Sequence, residues 1–248
     1  MAVLSIEGPA GAGKKIIGTR IAEKLHLDYV DRLILSEVAK DIGATVEAIT
    51  EGEKTVLDLG ERLARALQRI LDKSTITSAA GDPYFGPSAA AFLPDLYDYQ
   101  SDAVVTDPAY LEDDTYLASL KRVLFKYAER GNVVLMGRGS NVILRDQKEV
   151  FSIGIVAGLE QRKRFVSLEK GISQEKAEEE LVIADKARVD RYGRLFGVNN
   201  CDDPLHYDLV INTGHIGVDS CVNIAINAIN NFAASLNSPG DLIRPPVV

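Results

Sequence analysis

Short apolar runs and striped helical segments alternate along the chain. The run AVLSIEG (residues 2–8) is brief, apolar and closed by glycine, the pattern of a strand buried on both faces. KKIIGTRIAEKL follows, with Ile16, Ile17, Ile21 and Leu25 at helical spacing. LDYVDRLILSEVAKDIG then predicts a short strand over DYV, an Asp-Arg pair, and a helix ending at Gly43. Residues 45–74 predict helix in one or two pieces, striped by Leu59, Leu63, Leu67 and Ile70. Such a stripe suits a core or a partner-helix face. Residues 74–109 lose the period and turn rich in Ser, Ala, Gly, Pro and Tyr, with four of the nine prolines. They read as a long loop or lid-like insertion. AYLEDDTYLASLKRVLFKYAERG returns to helix, closed by Gly131. NVVLMGRGSNVIL predicts a strand ending in Gly-Arg-Gly, and VFSIGIVAG another buried strand. Two charged helices follow, LEQRKRFVSLEKG and SQEKAEEELVIADKARVDRYGRLFG. YDLVINTG is the last strand and GVDSCVNIAINAINNFAASL the last helix. The Pro-rich tail NSPGDLIRPPVV is expected to be loose or to pack on a partner.

Strands alternating with helices imply parallel strands joined by crossover helices, an α/β layered sheet. A chain of 248 residues accommodates one α/β domain with an insertion, or two small domains. At that size roughly 70–75% of the unfolded surface is buried, so the core needs no disulfide or metal. The formal net charge of -8 argues against nucleic-acid and membrane partners, both anionic. A phosphate ligand must therefore be met by a local basic pocket. Cys201 and Cys221 lack the spacing of a zinc site, and His26, His206 and His215 are scattered. There is no basic leader and no apolar run of membrane-spanning length, so the cytoplasm is expected.

The stretch GPAGAGKK (residues 8–15) has the spacing of a phosphate-binding loop, set between a strand and a helix. Gly8, Gly11 and Gly13 let backbone N–H groups approach phosphate oxygens, with Pro9, Ala10 and Ala12 between them. The helix N-terminus adds positive potential. Lys14 supplies a point charge for β- and γ-phosphates. A hydroxyl that often holds Mg²⁺ is expected after that lysine, and Lys15 and Ile16 offer none. The plain alternative is a glycine-rich turn that binds nothing.

IEGPAGAGKK resembles the loop of nucleoside monophosphate kinases, above all the cytidylate-kinase-like family, which typically reads G-P-S-G-A-G-K-G-T. DYVDRLIL, NVVLMGRGSNVIL, IADKARVDRYGRLFG and HYDLVINTGHIGVDSCVNIAINAI resemble further segments of that family. The resemblance implies a three-layer P-loop kinase fold with a parallel sheet over residues 1–235. It implies an insertion near 45–115, an arginine-bearing lid near 172–203, and a tail at 236–248. It implies ATP and Mg²⁺ as cofactors and a CMP-like acceptor. Asn212 and Thr213 fall where related kinases touch the adenine ring. The family's D-G-R-D motif is Met136-Gly137-Arg138-Gly139 here, so both carboxylates are missing, including one resembling a group that reads cytosine.

Two further groups fall at the ligand edge of such a sheet, and a third on the lid candidate. Asp31 would face the loop, holding a metal-bound water or an acceptor hydroxyl, and Arg32 could grip an acceptor phosphate. Arg138 between its glycines would also meet that phosphate. Arg188 and Arg191, three apart on one helical face, would neutralise a transferring phosphoryl group, with Arg194 behind them. Asp202-Asp203 before Pro204 reads as a turn, and Glu112 to Asp114 as a solvated helix start. Two other functions stay open: a nucleotide-binding regulator without transfer activity, and a small-molecule hydroxyl kinase on the same fold. The helix stripes and tail leave room for a homodimer.

Overall fold

The structure, a computed structural model, describes residues 2–54 and 112–236. The stripe at Leu59–Ile70, the Pro-rich segment 74–109 and most of the tail lie outside the described residues. Five strands form one parallel sheet: β1 (Val3–Glu7), β2 (Asp28–Val30), β3 (Val133–Met136), β4 (Val150–Val156) and β5 (Leu209–Asn212), in the order β2-β3-β1-β4-β5. The register sets Val3 beside both Val133 and Val150, so β1 is central. Among the described residues, eight α-helices accompany it: α1 (Lys14–Leu25), α2 (Arg32–Ile42), α3 (Val46–Lys54), α4 (Asp113–Arg130), the short α5 (Ser140–Ile143), α6 (Leu159–Lys170), α7 (Gln174–Phe196) and α8 (Val218–Leu236).

The three central strands β3, β1 and β4 are mostly apolar and buried because both of their faces are covered. Side chains alternate between the two faces along each strand. Val3, Val133 and Leu135 point into a core shared with α2 and α4, through Ile34, Val38, Leu120 and Leu124. Leu4, Ile6, Val134 and Met136 point into the opposite core with Ile17 and Ile21 of α1 and Val222 and Ala225 of α8. These are the three layers expected. Ser5 interrupts the apolar pattern of β1, and Ser140 of α5 satisfies it: the two buried hydroxyls lie 2.7 Å apart.

The helix expected from residue 109 begins at Asp113, and Gly-Arg-Gly forms a turn between β3 and α5. The two cysteines are buried and unpaired. None of the described helices is long and apolar enough to cross a membrane. A smaller apolar cluster joins the two charged helices: Val166 of α6 packs on Ala177 and Leu181 of α7, with Ala10 of the glycine loop against it. The α6–α7 arm therefore touches the loop directly.

Candidate functional site

β1 ends at Glu7, and the chain turns at once through residues 8–13 into α1. Gly8 stands at φ 147°, and a Cβ there would lie 1.9 Å from the Ile155 carbonyl oxygen of β4, so only glycine fits. Gly13 is the N-cap of α1 at φ 85°, with open space where a Cβ would be. It receives no side-chain cap, so the first N–H groups of α1 remain available to an anion. Lys14 Nζ donates to the Gly8 carbonyl at 2.7 Å, reaching across the loop's mouth. Burial lowers the Lys14 pKa; Glu7 and Asp31 work against that, while Arg188 and Arg191 add to it. Lys15 is exposed and Ile16 half-buried.

Two carboxylates that composition alone did not single out organise this centre. Glu7 is 2% exposed and its Oε1 accepts the Gly139 N–H at 2.7 Å, locking the Gly-Arg-Gly turn onto β1. Glu53, at the end of α3, forms an ion pair with Arg138 Nε at 3.3 Å. Asp31 holds the same guanidinium at 3.0 Å from its Oδ1. Asp31 begins α2 but makes no side-chain cap. Arg138 is 13% exposed in its side chain and stands at φ 60°, a left-handed conformation that costs a non-glycine residue about 1 kcal/mol or more. Burial opposes its charge, yet Glu53 and Asp31 outweigh that and raise its pKa. Arg32 is exposed on the first turn of α2.

The turn also explains the missing carboxylate at 139. A Cβ on Gly139, at φ 72°, would come within 2.3 Å of the Phe196 ring. An aromatic side chain from α7 fills the space a side chain at 139 would need.

α7 is capped by Ser173, whose hydroxyl accepts the Lys176 N–H at 3.2 Å. Its three arginines are each fastened to a different element. Arg188 is buried, donating to Asp202 at 2.7 Å and to the Cys201 carbonyl at 3.3 Å, with its guanidinium 5.2 Å from the Tyr192 ring. Burial works against its charge, but Glu7 leads the groups that hold it protonated. Arg191 Nη1 donates to the Glu53 carbonyl at 3.1 Å. Arg194 pairs with Asp113 of α4 and with Asp190. Asp202 and Asp113, read from sequence as a turn and a solvated helix start, are thus arginine partners. Asp203 does cap a turn, accepting the Leu205 N–H at 2.9 Å.

Sequence reasoning also missed Arg162. This buried α6 residue grips Asp185 of α7 with both terminal nitrogens, at 2.9 and 2.7 Å, and donates to the Ala10 carbonyl at 3.1 Å. Its signal was hidden in a run of charges that reads as a solvated face. Beyond β5, the Thr213 hydroxyl donates to the Ala12 carbonyl at 2.9 Å, bracing the loop from the far side. Asn212 is exposed and its Oδ1 accepts the Gly214 N–H at 2.9 Å.

Lys14, Glu7, Asp31, Arg188 and Arg191 thus share one electrostatic environment at the C-terminal edge of a parallel sheet, where open α/β sheets bind ligands. Asp31 also links that group to Arg138. Among the described residues, no three His, Cys, Asp or Glu side chains cluster as a metal cage would require.

The family model of the Cytidylate kinase-like family matches residues 3–215. Cytidylate kinase of Shouchella clausii is 25% identical, over 93% of this chain and 96% of that protein. Cytidylate kinase of Carboxydothermus hydrogenoformans is 30% identical, over 65% of this chain and 67% of that protein. Among solved structures, an uncharacterized protein from Eubacterium ventriosum shares the fold at TM-score 0.59 and 16% identity, covering 93% of this chain and 99% of that one. With the family model spanning both the glycine loop and the last strand, the chain belongs to the cytidylate kinase-like family.

Proposed function

We propose that this protein transfers the γ-phosphoryl group of ATP to a nucleoside monophosphate, CMP-like in kind. The observation that carries the reading is the grouping of Lys14 with Arg188, Arg191 and Asp31 beneath an uncapped helix N-terminus, with Arg138 on the far side of Asp31. Family membership supports a nucleotide kinase function at the coarser level.

In this reading the loop from Gly8 to Lys15 cradles the donor. Its N–H groups, with Lys14 and the start of α1, meet the β- and γ-phosphates. Arg191 stands at the mouth and supplies charge to the transferring group. Arg188 is too firmly held by Asp202 and Cys201 to travel, so it acts as a fixed positive charge behind Lys14. Arg138 takes the acceptor phosphate, with Arg32 as a second, solvent-side cation. Asp31 orients Arg138. Asn212 and Thr213 border the base, Thr213 chiefly through its hold on the loop.

Mg²⁺ would accompany ATP. The chain supplies no hydroxyl at 15 or 16 and, among the described residues, no carboxylate cage, so the ion would be carried on nucleotide oxygens and waters, with Asp31 outside them. The chain's own contribution is positioning and electrostatics.

The test is ATP consumption with Mg²⁺ against CMP, dCMP, UMP, AMP and small hydroxyl acceptors, with Lys14→Ala as control. Turnover on a monophosphate that is lost in the variant supports the reading. ATP binding without turnover on any acceptor would sink it in favour of a nucleotide-binding regulator. Turnover confined to a hydroxyl acceptor would favour the third reading.

A further inference from the structure

Glu53 stands where the acceptor's phosphate would have to bind. Its side chain is 13% exposed and its Oε1 is 3.3 Å from Arg138 Nε. That oxygen also accepts the Tyr116 hydroxyl at 2.6 Å, and the Glu53 carbonyl accepts Arg191 at 3.1 Å. Asp31 faces Arg138 from the other side at 3.0 Å. One guanidinium therefore serves two carboxylates in a largely buried pocket. The cation that an acceptor phosphate needs is already occupied. Arg138 Nη1 also donates to the Asp31 carbonyl at 3.3 Å, a further contact that holds the guanidinium on this pair.

The charge count discriminates among acceptors. A neutral hydroxyl compound that displaced Glu53 would leave both the arginine and the carboxylate poorly paired, which is costly in a buried setting. A phosphate brings up to two charges and three acceptor oxygens, and matches the guanidinium fork bidentately. We propose that Glu53 is an internal competitor of the acceptor phosphate: a carboxylate that keeps Arg138 occupied until the phosphate displaces it. The inference rests on the assignment of Arg138 to the acceptor phosphate.

The experiment is calorimetric binding of CMP and cytidine to the full chain, to Glu53→Gln, to Arg138→Ala and to the double variant. Glutamine keeps the shape and an oxygen for Tyr116 but removes the charge. Glu53→Gln is expected to bind CMP roughly three- to tenfold tighter, with cytidine unchanged. The gain should vanish when Arg138 is absent. Unchanged or weaker CMP binding in Glu53→Gln overturns the inference, as does a gain that survives Arg138→Ala, or CMP binding to none of the four chains. A structure of the unaltered protein with CMP gives a variant-free check. The Glu53 carboxylate should have left Arg138, and a retained pair beside a bound phosphate overturns the proposal. Because these readouts are equilibrium binding, they separate from the kinase reading. Absent ATP turnover with the expected binding pattern sinks only that reading. Turnover with CMP affinity unmoved by Glu53→Gln sinks only this inference.

Discussion

At the scale of single residues, the site depends on atoms that cannot be exchanged for similar ones. Lys14→Ala should lower kcat by about 10²–10³-fold, because one preorganised donor at the transferring phosphate is lost. Retention of most turnover in that variant would remove Lys14 from the mechanism. Burial depresses the pKa of Lys14, so the ammonium loses its proton at a lower pH than an exposed lysine would. Activity should accordingly decline earlier on the alkaline side than an ordinary lysine predicts, and a rate profile flat to the usual lysine range would contradict this. Gly139 is constrained twice, by its positive φ and by the Phe196 ring. Gly139→Ala should cost about 2–4 kcal/mol of stability by chemical denaturation. Shortening Phe196 to Leu should restore part of that loss. If it restores nothing, the clash is not the cause.

Among the elements, α7 is the one on which the others converge. Its arginines reach the 201–202 turn, the end of α3 and the start of α4, and its Asp185 reaches α6. Arg162 extends that last contact to the Ala10 carbonyl, so the crest of the glycine loop and the α6–α7 arm share one guanidinium. Movement of the arm and the shape of the loop are thereby coupled. A double-mutant cycle of Arg162→Lys and Asp185→Asn should give a coupling of about 1–3 kcal/mol. Both single variants should raise the KM for ATP more than that for the acceptor. Additive effects, or a change confined to the acceptor, would show that the latch does not act on the loop. This pairing was illegible in the sequence because residues 23 apart on two charged helices carry no spacing signal.

For the whole molecule, the α2–α4 face contributes to the pH dependence of stability. Burial works to raise the pKa of Glu37, but hydrogen bonds from Lys126 and Tyr127 outweigh it and lower the value. A carboxylate depressed in the folded state contributes stability above its unfolded pKa. That contribution is lost as pH falls through the folded value. Denaturant midpoints should therefore drop on acidification, and Glu37→Gln should flatten part of that drop while lowering the midpoint at neutral pH. Parallel curves for the two proteins would assign the acid sensitivity elsewhere. The same scale explains the layered core. Val3 and Leu4 enter opposite cores because a strand's side chains alternate, so apolar runs without a polar partner position already demanded helices on both faces.

The sequence by itself determined the order of strands and helices, the glycine loop with Lys14, and the family resemblance. Those depend on local period, on glycine where backbone must turn or approach closely, and on motifs contiguous in the chain. It also placed Asp31 and Arg138 near one edge of the sheet, because parallel topology carries every strand's C-terminal end to the same side. Only the tertiary structure decided their partners. Arg138 meets Glu53 from a helix 85 residues earlier, Arg188 is tied to Asp202, and Glu7 seals the Gly-Arg-Gly turn. An ion pair between distant segments is set by crossover geometry and by which buried charges must be compensated, and neither leaves a pattern in one dimension.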